Sequence, residues 1–310
     1  MSDNRRLRPI DPSVSPRFGD VATLLRAPRV PPRPGIDIAL VGVPFDLGTN
    51  YRTGARRGGP AAVREASRAI RLVHPTSRIA PFDLCQVADV GDVAINAMDF
   101  TASIAAIEVF FQRLYDLGIA PISVGGDHTI PLPILRAFAK QRPIGLVQFD
   151  AHPDTLDTLM GTRINHATTF RRAVEEGLID PQRAVQIGLR GSMFSSDDAS
   201  WSRSAGMRVI TMDEFETLGR AQVIEEIGRV IGDGPTYVSF DIDGLDAVHA
   251  MGTGVPEVGG YSVRDAQVML QSLRGRHLIG ADLCEVAPMY DPTGQTALNA
   301  ANVRTAVRRG

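Results

Sequence analysis

Apolar and polar positions in this chain come in blocks. Short runs that are apolar at nearly every position cover residues 38–45, 121–124, 144–149, 184–189, 207–210, 237–240 and 278–283, with a weaker run at 87–93. Runs of this kind, lacking strict alternation, predict strands covered on both sheet faces. Segments with helical spacing lie between them. They cover 103–117, closed by Gly118; 131–140; 168–176, closed by Gly177; and 213–231, closed by Gly232 with Thr211 or Asp213 as cap. Ser262, with Asp265 three residues on, opens a further helix to Leu273. Strand–helix alternation predicts βαβ units: an α/β fold with a parallel sheet and helices on both faces. Residues 1–35 are polar, rich in Arg and Pro, and closed by Pro31, Pro32 and Pro34. They read as an N-terminal arm that wraps a neighbour or stays loose, and residues 36–310 read as one domain.

Composition narrows the partners. The formal net charge of −2 gives no reason to expect nucleic acid or an anionic membrane. No run approaches the roughly 18 apolar residues of a membrane span. The first 30 residues lack the apolar core of a signal peptide, which predicts a cytoplasmic protein. Cys85 and Cys284 each sit within an apolar run and read as buried free thiols.

Three motifs follow predicted strands: Gly125-Gly126-Asp127-His128, Asp150-Ala151-His152-Pro153-Asp154 and Asp241-Ile242-Asp243. In open parallel sheets, ligands bind outside the carboxyl ends of the strands, where all three fall. Asp150, His152 and Asp154 are spaced i, i+2, i+4, so a strand continuing through them would put all three on one face. Crowding these carboxylates without a cation is costly. Carboxylates and imidazoles without a thiolate suit two divalent metal ions, Mn²⁺ first, with Ni²⁺, Co²⁺, Fe²⁺ or Zn²⁺ open. Ca²⁺ and Mg²⁺, which prefer oxygen donors, fit less well. Asp127, Asp157 and Asp246 read as loop residues or as acceptors for a ligand's free ring N–H.

With these motifs in place, the chain resembles the ureohydrolases, the arginase and agmatinase family, from about residue 38 to 303, and is most similar to the agmatinase-like branch. Residues 42–49 (Gly-Val-Pro-Phe-Asp-Leu-Gly-Thr), Gly54-Ala55-Arg56, residues 171–181 and residues 299–302 carry the rest of the resemblance. It implies a three-layer α/β/α sandwich with a parallel sheet of about eight strands. It implies one metal held by His128, Asp150, Asp154 and Asp241, and a second by His152, Asp150, Asp241 and Asp243. A water held between two such cations is acidic enough to supply a nucleophile for a guanidinium carbon. Glu257 matches the family's guanidinium-binding carboxylate, and His166 its proton-shuttling histidine. The products would be urea and an amine. The resemblance also implies a homo-oligomer, trimer or hexamer, and manganese, with nickel in some relatives that act on small guanidines.

The departures lie in loops. The family pattern His-Gly-Thr-Pro becomes His166-Ala167-Thr168-Thr169, Asp-Pro becomes Asp246-Ala247, and Ala-Pro-Gly becomes Ala250-Met251-Gly252. No ligand is touched, so these changes bear on the substrate and not on the metals. Agmatine-like compounds and guanidino acids are both open. In the loop before His166, Arg163 is placed to pair with a carboxylate tail and Asn165 to contact substrate. His249 is placed to rim the site. Guanidine or small alkylguanidines, with nickel as the metal, are an alternative. Two readings of other classes are a non-catalytic partner subunit of an active homologue and a one-zinc amide hydrolase.

Overall fold

The structure is a computed structural model that describes residues 7–195 and 198–304. Eight strands form one sheet: β1 (Ile38–Val43), β2 (Val87–Asp92), β3 (Ala120–Gly125), β4 (Ile144–Phe149), β5 (Ile179–Leu189), β6 (Arg208–Thr211), β7 (Thr236–Asp241) and β8 (Leu278–Cys284). All neighbours pair in parallel, in the order β2-β1-β3-β8-β7-β4-β5-β6. The described helices are α1 (Gly59–Ser67), α2 (Pro81–Leu84), α3 (Phe100–Asp116), α4 (Pro131–Phe138), α5 (Thr169–Glu175), α6 (Ser200–Ala205), α7 (Met212–Ile231), α8 (Val263–Ser272) and α9 (Gln295–Arg304).

Period two sorts the strand side chains between two cores. Ile38 and Leu40 join a cluster that includes residues of α1, α7, α8 and α9, while Ala39, Val41 and Val43 join one built with α3, α4 and α5. The result is a three-layer sandwich, as expected. The four central strands end level. Val124 pairs with Leu283, Leu283 with Phe240, and Phe240 with Phe149. The turns that follow β3, β8, β7 and β4 therefore leave the sheet side by side.

The caps explain where helices start. Thr211 accepts the N–H of Glu214, and Ser262 and Asp265 form a reciprocal capping box. Helices α1, α2, α6 and α9 are not signalled by apolar period. In α9 the buried face is mostly alanine (Ala297, Ala300 and Ala301, with Thr296 and Val303), too small to mark a stripe. β5 begins five residues before Ala184, with a polar start that hides it; Ile179 pairs with Ile144.

The expected arm is partly joined to its own sheet. β2 is an edge strand, and Arg29 bridges Asp89 on it in parallel. Val30 N–H donates to Asp89 O, and Asp89 N–H donates to Pro28 O, each at 3.1 Å. Leu24 is buried, and its N–H donates to Asp89 Oδ2 at 2.8 Å. This segment covers an otherwise open edge. Residues 1–6 of the arm and 305–310 of the domain lie outside the described residues. Cys284 is buried and Cys85 only half-buried. Among the described residues no helix is long and apolar enough to cross a membrane.

Candidate metal centre

His128 is set by the turn after β3. Gly126 permits that turn, since a Cβ there would sit 1.5 Å from the Phe45 carbonyl oxygen. The buried Asp127 braces the loop, accepting the N–H groups of Gly48 (2.8 Å) and Thr129 (2.9 Å). The His128 N–H donates to Glu285 Oε1 at 2.8 Å. Its Nε2 lies 2.8 Å from Ser239 Oγ, whose hydroxyl donates to Asp282 Oδ1 at 2.8 Å. The ring is thereby turned so that Nδ1 faces Asp154 (2.8 Å), Asp150 (3.1 Å) and Asp241 (3.3 Å).

The aspartates after β4 do not reach the centre by strand period. β4 stops at Phe149, and Asp154 takes a positive φ of 50°. Residues 150–154 form a turn instead, in which Asp150 Oδ1 accepts the His152 N–H at 2.7 Å. Gln148 steadies the other oxygen of Asp150 at 2.8 Å, and Gln186 steadies Gln148. Asp241 ends β7 and accepts the N–H of Asp243, opening the short 3₁₀ turn Ile242–Gly244. That turn brings Asp243 Oδ2 to 3.1 Å from His152 Nδ1, with Asp150 Oδ1 at 3.6 Å. Two donor clusters result, His128/Asp150/Asp154 and Asp150/His152/Asp243, sharing Asp150.

The donor set fits metal ions. His128 Nδ1 is buried and has no hydrogen-bond partner, although three carboxylate oxygens surround it. Separations near 3 Å are those of donors that each stand about 2.1 Å from one cation. Protein groups alone leave the carboxylates in conflict. Burial and the neighbouring Asp150 push Asp154 up to about 7, and burial with Asp243 and Asp150 pushes Asp241 well above the carboxylate range.

The clusters floor a cavity of about 880 Å³, whose wall includes His152, Asp154, Asp241, Asp243, His166, Glu257 and Glu285. Such a volume suits a small organic molecule. The chain matches the family model described as "Arginase family" over residues 36–307.

It belongs to the arginase family.

Within that family the chain is 48% identical to the guanidinopropionase of Pseudomonas aeruginosa, covering 95% of this chain and 93% of that protein. It is 45% identical to the guanidinobutyrase of the same organism, covering 97% and 95%. Among solved structures, the proclavaminate amidino hydrolase of Streptomyces clavuligerus superposes with a TM-score of 0.90 at 37% identity, covering 94% of this chain and 97% of that one. The protein is thus an arginase-family hydrolase of guanidino compounds, with His/Asp groups at this site that could hold metal ions. This is the catalytic reading, not the partner-subunit or one-zinc amide-hydrolase reading.

The remaining expected site residues divide. His166 lines the cavity. Its Nε2 is 3.3 Å from Asn50 Oδ1 and its Nδ1 is 4.0 Å from Glu285 Oε1; burial holds its pKa down at about 4. Glu257 also lines the cavity, with Oε1 3.8 Å from His152 Nε2. Three others are not brought to the cavity. Arg163 is turned outward, pairing with Glu175 at 3.0 Å and Asp157 at 3.4 Å, because α5 presents Glu175 beside its loop. Asn165 is buried within the loop and spends its side chain on Thr162 and the Ala167 N–H. His249 lies in a turn held by Asp246 and α9, its carbonyl accepting from Asn299. The departure at Thr169 has a local role: its hydroxyl donates to the His128 carbonyl at 2.8 Å.

Glu285 was missed by the motif reading. It leaves β8 beside the other turns, and it is buried with a positive φ of 68°. Its Oε1 accepts the His128 N–H, while Oε2 is gripped by the buried Arg56. Burial raises its pKa, but Arg56, His166 and the His128 N–H outweigh that and hold it below the ordinary value. One signal was available: it stands two residues past a predicted strand, where the three motifs also stand.

Proposed function

We propose that the protein hydrolyses a guanidino acid with a short aliphatic tail, such as guanidinopropionate or guanidinobutyrate, to urea and an ω-amino acid. The observation that carries this is the cavity that joins both donor clusters to two carboxylates and an imidazole, in a chain 48% identical to a guanidinopropionase. In this reading His128, Asp150, Asp154 and Asp241 hold one metal, and Asp150, His152, Asp241 and Asp243 hold the other. Bound metals of this kind acidify water to a nucleophile near neutral pH.

The protein's own groups do the rest. A guanidinium is planar and cationic, so it pairs with carboxylates edge-on. Glu285 is immobilised and charged on the side of His166, and Glu257 faces the cavity from the side of His152. We assign the guanidinium to the space between them, with Glu285 as the primary partner. His166, beside Glu285, then stands where the departing amine needs a proton. Manganese is the proposed metal, with nickel as the second candidate, and the assembly is proposed as a trimer or hexamer. Nothing in the cavity favours bare guanidine: Met160 and Met251 are exposed and outside its wall.

The test is urea release by the full chain, reconstituted in parallel with Mn²⁺ and Ni²⁺. The panel is guanidinopropionate, guanidinobutyrate, agmatine, arginine, guanidine and methylguanidine. The expected result is the highest kcat/KM on a guanidino acid. Preference for agmatine or for guanidine overturns the proposal.

A further inference from the structure

Two arginines are found among the described residues that line the cavity, Arg190 and Arg203. Arg190 is spent: its guanidinium donates to the carbonyls of Val258, Gly188, Gly244, Asp243, Leu245 and Glu257. That clip fastens the Glu257 loop to the end of β7 and leaves Arg190 no donor to offer a ligand. Arg203 is different. It projects from α6, is exposed, and among the described residues its side chain makes no ion pair and no hydrogen bond. A cation without a carboxylate partner in the wall of a substrate cavity is a ready acceptor for an anion, and a guanidinium matches a carboxylate with two parallel bonds.

The base of Arg203 is also held in place relative to the metal ligands. Its neighbour Ser202 is buried, and Ser202 Oγ lies 2.9 Å from the hydroxyl of Thr155, which follows Asp154 in the chain. Trp201 stacks under Arg171 of α5 at 5.0 Å. Gly206, at φ 106°, closes the helix with its N–H on the carbonyls of Arg203 and Ser202. α6 is therefore pinned to the turn that carries Asp154. Among the described residues, the cavity acids Asp198 and Asp213 form no ion pair with Arg203. Asp198 spends both oxygens on the Phe194 N–H and the Ser195 hydroxyl, and Asp213 lies in the first turn of α7, where the helix dipole favours its charge.

We infer that Arg203 selects the substrate by pairing with the carboxylate at the far end of the guanidino acid. The inference rests on the guanidino-acid reading and adds to it the residue that reads the tail. Arg163, which fills that role in the sequence reading, is paired away from the cavity, and Arg203 supplies the charge from a different element.

The test compares guanidinopropionate with propylguanidine, which has the same chain length and no carboxylate, on the full-length Mn²⁺-loaded protein and on Arg203→Met and Arg203→Lys. Arg203→Met is expected to lower kcat/KM for guanidinopropionate about 10- to 100-fold, mostly through KM, and to leave propylguanidine within about twofold. Arg203→Lys recovers part of the loss, because the charge returns without the fork. Equal losses on both compounds mean that Arg203 only supports the fold and overturn the inference. An unchanged ratio overturns it too, while a wild-type preference for guanidino acids would still stand. A wild-type protein that turns over no guanidino acid removes the guanidino-acid reading and this inference with it.

Discussion

Glu285 and Glu257 look alike as carboxylates on one cavity and differ in what stands behind them. Behind Glu285 is Arg56, fully buried and also in reach of Asp46 at 3.4 Å. Glu285→Gln therefore removes the closer of the two carboxylates that face this buried cation and leaves only Asp46, which is expected to cost about 1–3 kcal/mol. Glu257 is partly exposed and its Oε1 lies 3.8 Å from His152. Glu257→Gln is expected to leave the melting temperature within about 2 °C while weakening kcat/KM about tenfold. Melting curves and kinetics on both variants check this; a Glu285→Gln that melts like wild type refutes the Arg56 argument. His166 makes a separate prediction. It touches the cavity and none of the donor clusters, so His166→Ala should cut kcat about 10²–10⁴-fold and leave metal content unchanged. Loss of metal in that variant, measured by elemental analysis, assigns His166 to metal binding and not to proton transfer.

At the scale of elements, the strands were legible because burial on both faces makes them apolar throughout, and the motifs were legible because they follow those strands. The turns were not. The i, i+2, i+4 spacing of Asp150, His152 and Asp154 points to an extended strand, and the backbone reaches the same convergence by a turn with Asp154 at positive φ. Glu285 escaped because no acid or histidine stands two or four residues from it to repeat the spacing of the other motifs. Arg163 was overread because a loop arginine before His166 is legible, but the Glu175 that captures it arrives twelve residues later on α5. A surface element offers a pH test of its own. Glu226 on α7 accepts from Arg229 and from Arg208 of β6, and these bonds hold its pKa down at about 2. A depressed carboxylate stabilises the fold above its unfolded value, and that contribution is lost as pH falls toward the folded value. Glu226 is partly exposed at the surface, where solvent screens its ion pairs, so its worth is about 1 kcal/mol or less. The melting gap between wild type and Glu226→Gln should thus be present at pH 7 and narrow from about pH 4.5 downward. A gap that stays constant to pH 3 rules out the ion pairs as its source.

At the scale of the whole molecule, the four central strands concentrate acids at one end of the sheet, and the fold tolerates this only with charge to oppose them. Asp150, Asp154, Asp241 and Asp243 are all buried there, with two imidazoles. Metal binding must then appear as folding stability. A ligand at a thousandfold its Kd that binds only the folded state adds about 4 kcal/mol. For a chain of 310 residues that is roughly 6 °C of melting temperature per site. Chelation should lower the melting temperature on that scale, and Mn²⁺ or Ni²⁺ should restore it. The two clusters share Asp150 but not Asp154, which separates their contributions. Asp154→Ala should leave one metal per chain and part of the stabilisation. Asp150→Ala removes a donor common to both clusters, so it should abolish both bound metals and the response to chelator. Two metals per wild-type chain, one in Asp154→Ala and none in Asp150→Ala is the pattern that a shared carboxylate requires. Equal loss in both variants would mean a single site built from all four acids.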